Sequence, residues 1–435
     1  MTSPVPLSDT INIRKVLTSI LFVAGLAELG YAVMNLSAMP VFLRDGMHYG
    51  ETTVTSIGAA FLICEGVMKG PFGIIGDRIG RKWLMLAGPI ITATTALITI
   101  IAQPHQWYVF ALLRVMDGMG AAALWPSAFA MIADVVPIER RSRAMSLFNV
   151  TYLIGIAMGP FLGGMANDVT KAVLTRVNPT WMMTDPVAPL RASFILISFF
   201  FALTAAVAFL SIPNIRPIGE REPSELEKGF DFRSFADSLK RVPETLIMSF
   251  VTFFGVGMIM LLVKLFAMDE FKVSEMQYGG LLIVPALMIG AASVPLGSIG
   301  DRLGKVLAVR LGIGMCAFAM WALILIRSQF ALVIGGSMIG VGFVIAFPSW
   351  MAHISNSCSA SQRGAVMGAV GTAQGIGAMV GAPLGGYLYE HAHVHIAWLP
   401  WFQRRHVPFV GCAILLMVAW GLAMTVIREK TEPCS

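Results

Sequence analysis

Long runs of apolar residues follow one another along the whole chain, separated by short polar segments. A helix needs about 20 mainly apolar residues to span a membrane. Twelve runs meet this requirement: 16–42, 53–75, 84–102, 107–133, 144–166, 191–212, 245–268, 277–298, 306–326, 331–355, 364–388 and 407–427. Because the apolar residues are continuous and do not alternate with polar ones, a closed β-barrel is excluded. The pattern predicts an all-α membrane protein with twelve transmembrane helices.

One long hydrophilic stretch, rich in Pro, Glu and Arg, interrupts the runs at 213–243. It predicts a cytoplasmic central loop between one six-helix bundle over 1–212 and a second six-helix bundle over 244–435. Four apolar residues of the stretch would share one face of a helix: Phe232, Phe235, Leu239 and Val242. A basic amphipathic helix on the inner leaflet and a solvated linker turn are both compatible with this spacing.

Composition and charge narrow the class of protein further. The chain is 56% hydrophobic and 13% charged, whereas soluble domains usually carry about 25% charged residues. An ordinary soluble enzyme and a disordered chain are therefore excluded. The net charge of +6 comes from basic residues dispersed along an apolar chain, which does not suit a nucleic-acid partner. We expect a lipid bilayer and a small-molecule substrate as partners, no nucleic acid, and a functional monomer.

Lys and Arg residues concentrate in alternate segments between the runs, and this asymmetry sets the orientation in the membrane. Two such segments hold six of the 14 Lys and Arg residues of the first half: Arg78, Arg81, Lys82, Arg140, Arg141 and Arg143. The segments on the other side of the membrane hold fewer. We therefore predict a multi-pass protein of the plasma membrane, the inner membrane of a bacterium, with both termini in the cytoplasm.

The two halves of the chain repeat each other in sequence. Residues 73–82, GIIGDRIGRK, recur as residues 297–305, GSIGDRLGK. Residues 155–164, GIAMGPFLGG, recur 222 positions later as residues 377–386, GAMVGAPLGG. Repeats of this kind in secondary transporters build two like-oriented bundles around a central substrate site. The sequence therefore predicts two six-helix bundles related by a pseudo-two-fold repeat.

Residues 73–82 resemble the signature of the major facilitator superfamily, G-x-L-a-D-r-x-G-r-k, and the resemblance covers essentially the whole chain. It implies the major facilitator fold, with a gate that includes an acid at the end of the fourth run. The gating residues are then Gly73, Asp77, Arg78, Gly80, Arg81, Asp134, Gly297, Asp301, Arg302 and Gly304. In the family, the acid at Asp77 caps the eleventh helix and the arginine at Arg81 pairs with the acid at Asp134, which holds the outward-open state. A basic tight loop without a gating role is the alternative.

Two further segments resemble motifs of the drug:proton antiporters of that family. Residues 114–122 are similar to R-x-x-q-G-x-g-a-a, with Asp117 in place of the usual glutamine. The fifth run has the glycine–proline pattern of the antiporter motif, and the eleventh run repeats it. The residues concerned are Gly155, Gly159, Pro160, Gly163, Gly164, Gly381 and Gly385. The resemblance implies that this face packs against the other half and seals the interface.

Ionisable residues inside the runs are the strongest indication of function, because each costs about 2.5–3.5 kcal/mol at the membrane centre. Four of them are candidates for proton coupling: Glu28, Glu65, Arg114 and Asp117. Static ion pairs, between Glu65 and Lys69 and between Arg114 and Asp117, are the alternative interpretation. Six residues are candidate polar contacts in a substrate cavity: Tyr31, Asn35, Lys69, Asn149, Tyr152 and Gln374.

These features predict a secondary active transporter that exports small hydrophobic or amphipathic molecules by alternating access, in exchange for protons. No Walker A segment is present, since Val306 follows the Gly304–Lys305 pair, so we expect the proton as coupling ion and no cofactor. A lipid or glycolipid flippase and a proton symporter of a small organic solute remain alternatives. An intramembrane enzyme is the rival of a different class, but the chain has neither HExxH nor Gly-x-Ser-x-Gly.

Histidines alternate after the eleventh run, in the segment Glu390-His391-Ala392-His393-Val394-His395. Alternating histidines can bind a metal ion. We favour a hydrated loop, and we predict no metal site.

Overall fold

The computed structural model describes residues 13–103, 105–214, 243–297, 302–356, 363–394, 399–425 and 427. Every regular element in this part of the chain is a helix. The main helices before the central loop are α1 Ile13–Gly46, α2 Glu51–Ile79, α3 Arg81–Ile101, α4 Trp107–Val135, α5 Ile138–Val177 and α6 Ala188–Ser211. The main helices after it are α7 Pro243–Met260, α8 Val263–Phe271, α9 Glu275–Gly297, α10 Lys305–Leu325, α11 Phe330–Asn356, α12 Arg363–His391 and α13 Val407–Thr425.

Each predicted apolar run coincides with helical structure, and the run 245–268 is shared by α7 and α8. By length and composition, ten helices among the described residues can cross a membrane. The helix α8 and the segment Glu275–Ala291 are bent by 115° relative to each other, and they add an eleventh span if the two together cross once. The glycine-rich α12 is not among the ten. The all-α, multi-pass membrane fold is confirmed. The predicted amphipathic helix of the central loop falls within 215–242, outside the described residues.

The chain divides by its internal contacts into two compact units. Unit 1 is Met1–Ala38 with Ala60–Gly219, and unit 2 is Met39–Ala59 with Glu220–Ser435. The division after Gly219 falls inside the stretch predicted as the central loop. Residues 39–59, which form the junction of α1 and α2, belong to unit 2. In this they differ from the predicted division, which places them in the first bundle over 1–212.

Glycines determine how closely the helices of unit 1 approach one another. In this unit α1 packs against α5 and α6, and α3 packs against α4 and α6. A Cβ on Gly120 of α4 would lie 2.9 Å from the carbonyl oxygen of Gly88 on α3. Small residues permit this kind of backbone contact between helices in a membrane. Large buried rings, such as Phe110, Phe194 and Phe201, fill the remaining space.

Unit 2 repeats the helix pairing of unit 1. Here α7 packs against α12 and α13, and α10 packs against α11 and α13. These pairs correspond one for one to the pairs of unit 1. A core cluster that includes Met248, Val309, Trp350 and Val370 joins α7, α10, α11 and α12. The repeat seen in the sequence is therefore also a repeat of helix packing within each unit.

Candidate functional site

The glycines of α5 set the geometry of the candidate site in unit 1. Gly155, Gly159 and Gly163 recur every four residues, and all three lie against α1. A Cβ on Gly155 would lie 2.8 Å from the Cβ of Glu28, and a Cβ on Gly163 would lie 2.6 Å from Ser37 Oγ. The three glycines thus let α1 and α5 pack closely within unit 1, and the predicted contact of this face with the other half stays a prediction.

The same arrangement recurs in unit 2, where the glycine face of α12 lies against α7. A Cβ on Gly377 would lie 2.7 Å from the carbonyl oxygen of Phe250, and Gly381 and Gly385 leave even less space. A side chain at any of these positions would push α7 and α12 apart. Two further motif residues of α5 are buried as well: Pro160 and Gly164.

Glu28 lies on α1 where Gly155 allows α5 to approach, and its side chain is buried. Its carboxylate shares a hydrogen bond with the hydroxyl of Tyr152 on α5, and Glu65 on α2 is close enough for the two carboxylates to repel each other. Glu65 Oε1 lies 2.8 Å from Nζ of Lys69, whose side chain is half-exposed. The structure thus brings together two carboxylates, a phenol and an ammonium group, all of them predicted site residues.

Arg114 and Asp117 form an ion pair on α4, and both side chains are fully buried. The second carboxylate oxygen of Asp117 accepts a hydrogen bond from the hydroxyl of Thr95 on α3. Arg114 also donates to Asn35 Oδ1 on α1 at 3.1 Å, and its guanidinium lies 6.0 Å from the centre of the Phe61 ring. Because each charge faces the other and each has a further polar partner, this cluster suits the static interpretation of the pair.

The other cavity candidates of unit 1 differ in exposure. Tyr31 is 4% exposed, its hydroxyl lies 3.2 Å from Thr92 Oγ1, and its ring packs edge-on against Phe201. Tyr31 is therefore part of the packing of α1 against α3 and α6, and its predicted place in a substrate cavity stays a prediction. Asn149 on α5 is exposed.

The signature residues form the turn between α2 and α3. Gly80 precedes α3 with φ +99°, and its repeat equivalent Gly304 precedes α10 with φ +91°, a conformation that glycine adopts without a steric penalty. Arg81 Nε lies 3.0 Å from Asp134 Oδ2 at the end of α4, and the Arg81 side chain is 8% exposed. The predicted contact between Arg81 and Asp134 is confirmed, while its role as a gate stays a prediction.

The remaining signature residues carry less structural information. Arg78 and Arg302 are exposed, Gly73 has open space around it, and Gly297 ends α9. Asp301 lies outside the described residues, as does the side chain of Asp77. The predicted capping of the eleventh helix by Asp77 therefore stays a prediction.

Sequence reasoning missed a buried ion pair in unit 2. Lys264 Nζ on α8 lies 2.6 Å from Glu275 Oε2 on α9, and the two side chains are 2% and 7% exposed. Glu275 stands just before the apolar run 277–298. The sequence carried two signals, Lys264 within the apolar run 245–268 and Glu275 just before the next run, but neither reveals the partner.

A second missed group of contacts joins the junction of α1 and α2 to α8 and α12, all within unit 2. Arg44 Nη1 lies 2.8 Å from Asp269 Oδ2, which also accepts a hydrogen bond of 2.7 Å from the Tyr389 hydroxyl. The backbone N–H of Thr52 donates to Glu390 Oε2 at 2.9 Å. Glu390 thereby places a negative charge at the N-terminus of α2, where a helix favours one. In the histidine segment, His395 lies outside the described residues.

An apolar groove runs along the pair α1–α5 and another along the pair α7–α12. The groove in unit 1 has a volume of about 330 Å³ and includes Thr151 and Gly155. The groove in unit 2 has a volume of about 420 Å³ and includes Phe250 and Ala373. Volumes of this order suit a small organic molecule. In unit 1 the groove adjoins the helix positions that carry Glu28 and Tyr152.

The two units have the same helix pairing, and each has an apolar groove. Unit 1 also holds buried carboxylates. Together these features define a membrane-embedded transporter of small molecules. The family model described as Major Facilitator Superfamily matches residues 7–244 and 245–433, and the chain belongs to this family. The protein is therefore a transporter and not an enzyme.

Curated relatives include drug-resistance proteins. The chain is 24% identical over 404 residues to Multidrug resistance protein 2 of Bacillus subtilis (strain 168), which covers 91% of this chain and 92% of that protein. A stretch of 135 residues is 25% identical to Quinolone resistance protein NorA of Staphylococcus aureus (strain MRSA252), covering 31% of this chain and 34% of that protein.

Solved structures of transporters share the fold. A bacterial homolog of the human lysosomal transporter Spinster, inward-facing and unoccupied, has a TM-score of 0.70 and 17% identity, covering 95% of this chain and 97% of that chain. The nucleoside transporter NupG has a TM-score of 0.73 and 12% identity, covering 95% of this chain and 100% of that chain. At these identities the likeness concerns the fold alone.

Proposed function

We propose that the protein exports small hydrophobic or amphipathic molecules in exchange for protons, by alternating access. The observation that carries this proposal is the carboxylate of Glu28, which is buried on α1 beside an apolar groove. It bonds to the Tyr152 hydroxyl, and no Lys or Arg pairs with it in the part of the chain that the structure describes. Such a group is uncharged with a proton bound and carries a costly charge without it, so proton binding changes the energy of the site.

The neighbours of Glu28 supply the other elements of a coupling site. Glu65 repels a charge on Glu28, while Lys69, 2.8 Å from Glu65, reduces that repulsion when the pair is formed. A movement that separates Lys69 from Glu65 would therefore strengthen the repulsion between the two carboxylates. In the proposed cycle, the carboxylates take up protons when they face the outside and release them when they face the cytoplasm.

The fully buried pair of Arg114 and Asp117 has a different part in this proposal. It links α4 to α1 and α3 through Asn35 and Thr95. We propose that it holds these helices in register while Glu28 and Glu65 exchange protons. The contact between Arg81 and Asp134 forms and breaks as the cytoplasmic side closes and opens.

The curated relatives support the direction of transport. Multidrug resistance protein 2 aligns with 91% of this chain, and both it and Quinolone resistance protein NorA are named for resistance to drugs. Export of foreign compounds would give such resistance. In this proposal the protein lies in the plasma membrane, the inner membrane of a bacterium, with both termini in the cytoplasm. It works as a monomer, with the proton as coupling ion and no cofactor.

The proposal is tested in everted membrane vesicles that hold a pH gradient. Addition of ethidium should dissipate the gradient in vesicles with the wild-type protein, and dissipation should be lost with Glu28→Gln. Glu244→Gln is the matched control, because Glu244 is exposed at the start of α7 and its variant should behave as the wild type. Ethidium uptake without a proton flux would overturn proton coupling. Proton flux in the same direction as the solute would favour the symporter, and movement of labelled lipid between leaflets would favour the flippase.

A further inference from the structure

A short 3₁₀ turn directly before α13 ends with a buried histidine. The turn consists of Arg404, Arg405 and His406, and His406 is 1% exposed. Arg404 Nη1 donates to the carbonyl oxygen of Glu390 at the end of α12 at 2.8 Å. Arg405 Nη2 lies 2.8 Å from Glu270 Oε2 on α8. The turn therefore ties α12 and α13 to α8 within unit 2.

Aromatic rings surround the His406 side chain. The ring of Phe402 stacks on it, with the ring centres 5.4 Å apart. The rings of Phe266 on α8 and Trp401 stand edge-on to it, at 5.4 Å and 5.5 Å. Because these rings take the place of water around the imidazole, a charge on His406 would be poorly solvated.

The charged groups near His406 also oppose a positive charge on it. Nε2 of His406 lies 3.5 Å from Glu270 Oε2, and the Glu270 side chain is 4% exposed. The same carboxylate already has two positive partners, Arg405 at 2.8 Å and Arg327 at 3.6 Å. A protonated His406 would add a third positive charge around one carboxylate. Further charged side chains at this end come from α8, α12, the turn itself and the junction of α1 and α2: Asp269, Glu390, His391, Arg404 and Arg44.

The hydrogen bonds of His406 suit the neutral ring. The backbone N–H of Gln403 donates to His406 Nδ1 at 3.2 Å, so the proton of the neutral ring is on Nε2, which faces Glu270. A charged imidazole carries hydrogen on both nitrogens, and its Nδ1 could no longer accept this bond. The Gln403 carbonyl oxygen, also 3.2 Å from Nδ1, already accepts from the backbone N–H of His406 at 2.9 Å.

We propose that His406 is a proton-binding site that releases the turn before α13 when it is charged. With His406 neutral, the ring accepts from Gln403 and the turn holds α12 and α13 against α8. With a proton bound, the ring is repelled by Arg405 and Arg327 and loses its bond to Gln403, so it leaves the aromatic rings and the turn opens. With the C-terminus in the cytoplasm, as predicted, the start of α13 faces the outside, and acid on that side loosens unit 2. The inference goes beyond the proposed export and needs no proton exchange at Glu28.

The test is hydrogen–deuterium exchange of the purified full-length protein in detergent, read by mass spectrometry over the segment 402–410. Wild type and His406→Asn are compared at the same pH, so that the intrinsic pH dependence of exchange cancels. Asn carries no titrating ring, and its Oδ1 takes the place of Nδ1 as an acceptor. The two proteins should exchange alike at pH 8. At pH 5.5 the wild type should exchange up to about 10-fold faster, because an imidazole released into water, with a pKa of about 6.5, is then about 10-fold more charged than neutral.

His48→Asn is the matched control. His48 is exposed, and Asn tolerates its φ of +59°, so this variant should respond to pH as the wild type does. Glu28→Gln should also keep the full response in the segment 402–410. A response that is kept in Glu28→Gln separates the His406 site from the proposed proton coupling.

Arg327→Gln tests the same site without a change in the turn. The Arg327 side chain is 55% exposed, and its loss removes one of the two arginines that oppose the proton on His406. This variant should exchange as the wild type does at pH 8 and should show a smaller acceleration at pH 5.5, because the closed turn then accepts the proton more readily.

The other outcomes overturn the site. Equal exchange in wild type and His406→Asn at both pH values would mean that proton binding at His406 does not act on the turn. Faster exchange of His406→Asn by the same factor at both pH values would mean that the ring only packs the turn. Slower exchange of the wild type than of His406→Asn at pH 5.5 alone would mean that the proton tightens the turn. An undiminished acceleration in Arg327→Gln would contradict the repulsion on which the release depends.

Discussion

Glu28 on α1 and Gly155 on α5 are in direct contact, since a Cβ built on the glycine would lie 2.8 Å from the Cβ of the glutamate. The contact fixes the buried carboxylate between two helices and beside the apolar groove of unit 1. The glycine spacing of the antiporter motif therefore positions the candidate proton-binding group within one unit.

Gly155→Ala should destabilise the protein, because the added methyl group must displace α1 or strain the Glu28 side chain. Overpacking of this kind costs about 1–3 kcal/mol. The change is measured as a lower melting temperature of the purified protein in detergent. Gly70→Ala on α2 is the matched control, because nothing lies within 4 Å of a Cβ there, and it should leave the melting temperature unchanged or slightly raised. Equal effects of the two substitutions would contradict the packing described for Gly155.

Single substitutions in the Arg114–Asp117 pair should be strongly destabilising. Removal of either partner leaves a buried charge without compensation, at a cost of about 3–5 kcal/mol. The double variant Arg114→Met with Asp117→Leu should recover most of this loss, as measured by thermal unfolding, and should still couple transport to protons. A stable double variant that transports its cargo without proton flux would show that the pair takes part in coupling.

Asp134→Asn should slow turnover without weakening cargo binding. The change removes the ionic contact to Arg81, and a hydrogen bond between charged groups contributes about 1.5–3 kcal/mol. We expect a transport rate about 10-fold lower, with partial recovery in the exchange variant Arg81→Asp with Asp134→Arg. Arg176→Ala, at an exposed arginine, should transport at the wild-type rate. A wild-type transport rate for Asp134→Asn would mean that the contact between Arg81 and Asp134 belongs to a basic turn without a gating role.

The contact between Glu390 and α2 should depend on pH. Partial burial disfavours the charged form, but the hydrogen bonds from Thr52 and the nearby His391 and Arg404 outweigh it, so the pKa of Glu390 lies below its ordinary value. A carboxylate with a lowered pKa stabilises the folded state above its unfolded pKa of about 4.3 and loses this effect as the pH falls through the folded value.

Glu390→Gln should therefore lower the melting temperature at pH 7, and its difference from the wild type should vanish only as the pH falls through the lowered pKa of Glu390. Melting curves in detergent, from pH 7 downward through the acid range, measure the effect. Glu244→Gln, at an exposed position, should show no such dependence. A difference between wild type and Glu390→Gln that persists undiminished at low pH would exclude the charged contact as its cause.

Much of the fold follows from the sequence because each main helix except α8 corresponds to one apolar run. The repeat predicted the equivalence of the two halves, which reappears in the helix pairs α1–α5 and α7–α12. The contact of Arg81 with Asp134 was implied by the family resemblance. Glu28, Glu65 and Tyr152 were found because polar side chains inside apolar runs are few.

The partners of a helix face were not predictable from the sequence. Spacing by four places Gly155, Gly159 and Gly163 on one face, but it does not say that α1 meets that face. The burial of Tyr31 depends in the same way on α3 and α6. The pair of Lys264 and Glu275 is formed only when α8 and α9 fold back on each other.

The central claim is that Glu28 couples cargo movement to protons. Purified Glu28→Gln in liposomes should exchange labelled ethidium for unlabelled ethidium at a rate close to that of the wild type, because exchange needs no net proton movement. It should fail to accumulate ethidium when a pH gradient is imposed, and its exchange rate should no longer vary with pH. Accumulation of ethidium by Glu28→Gln at the wild-type level, with unchanged dependence on pH, would contradict the account.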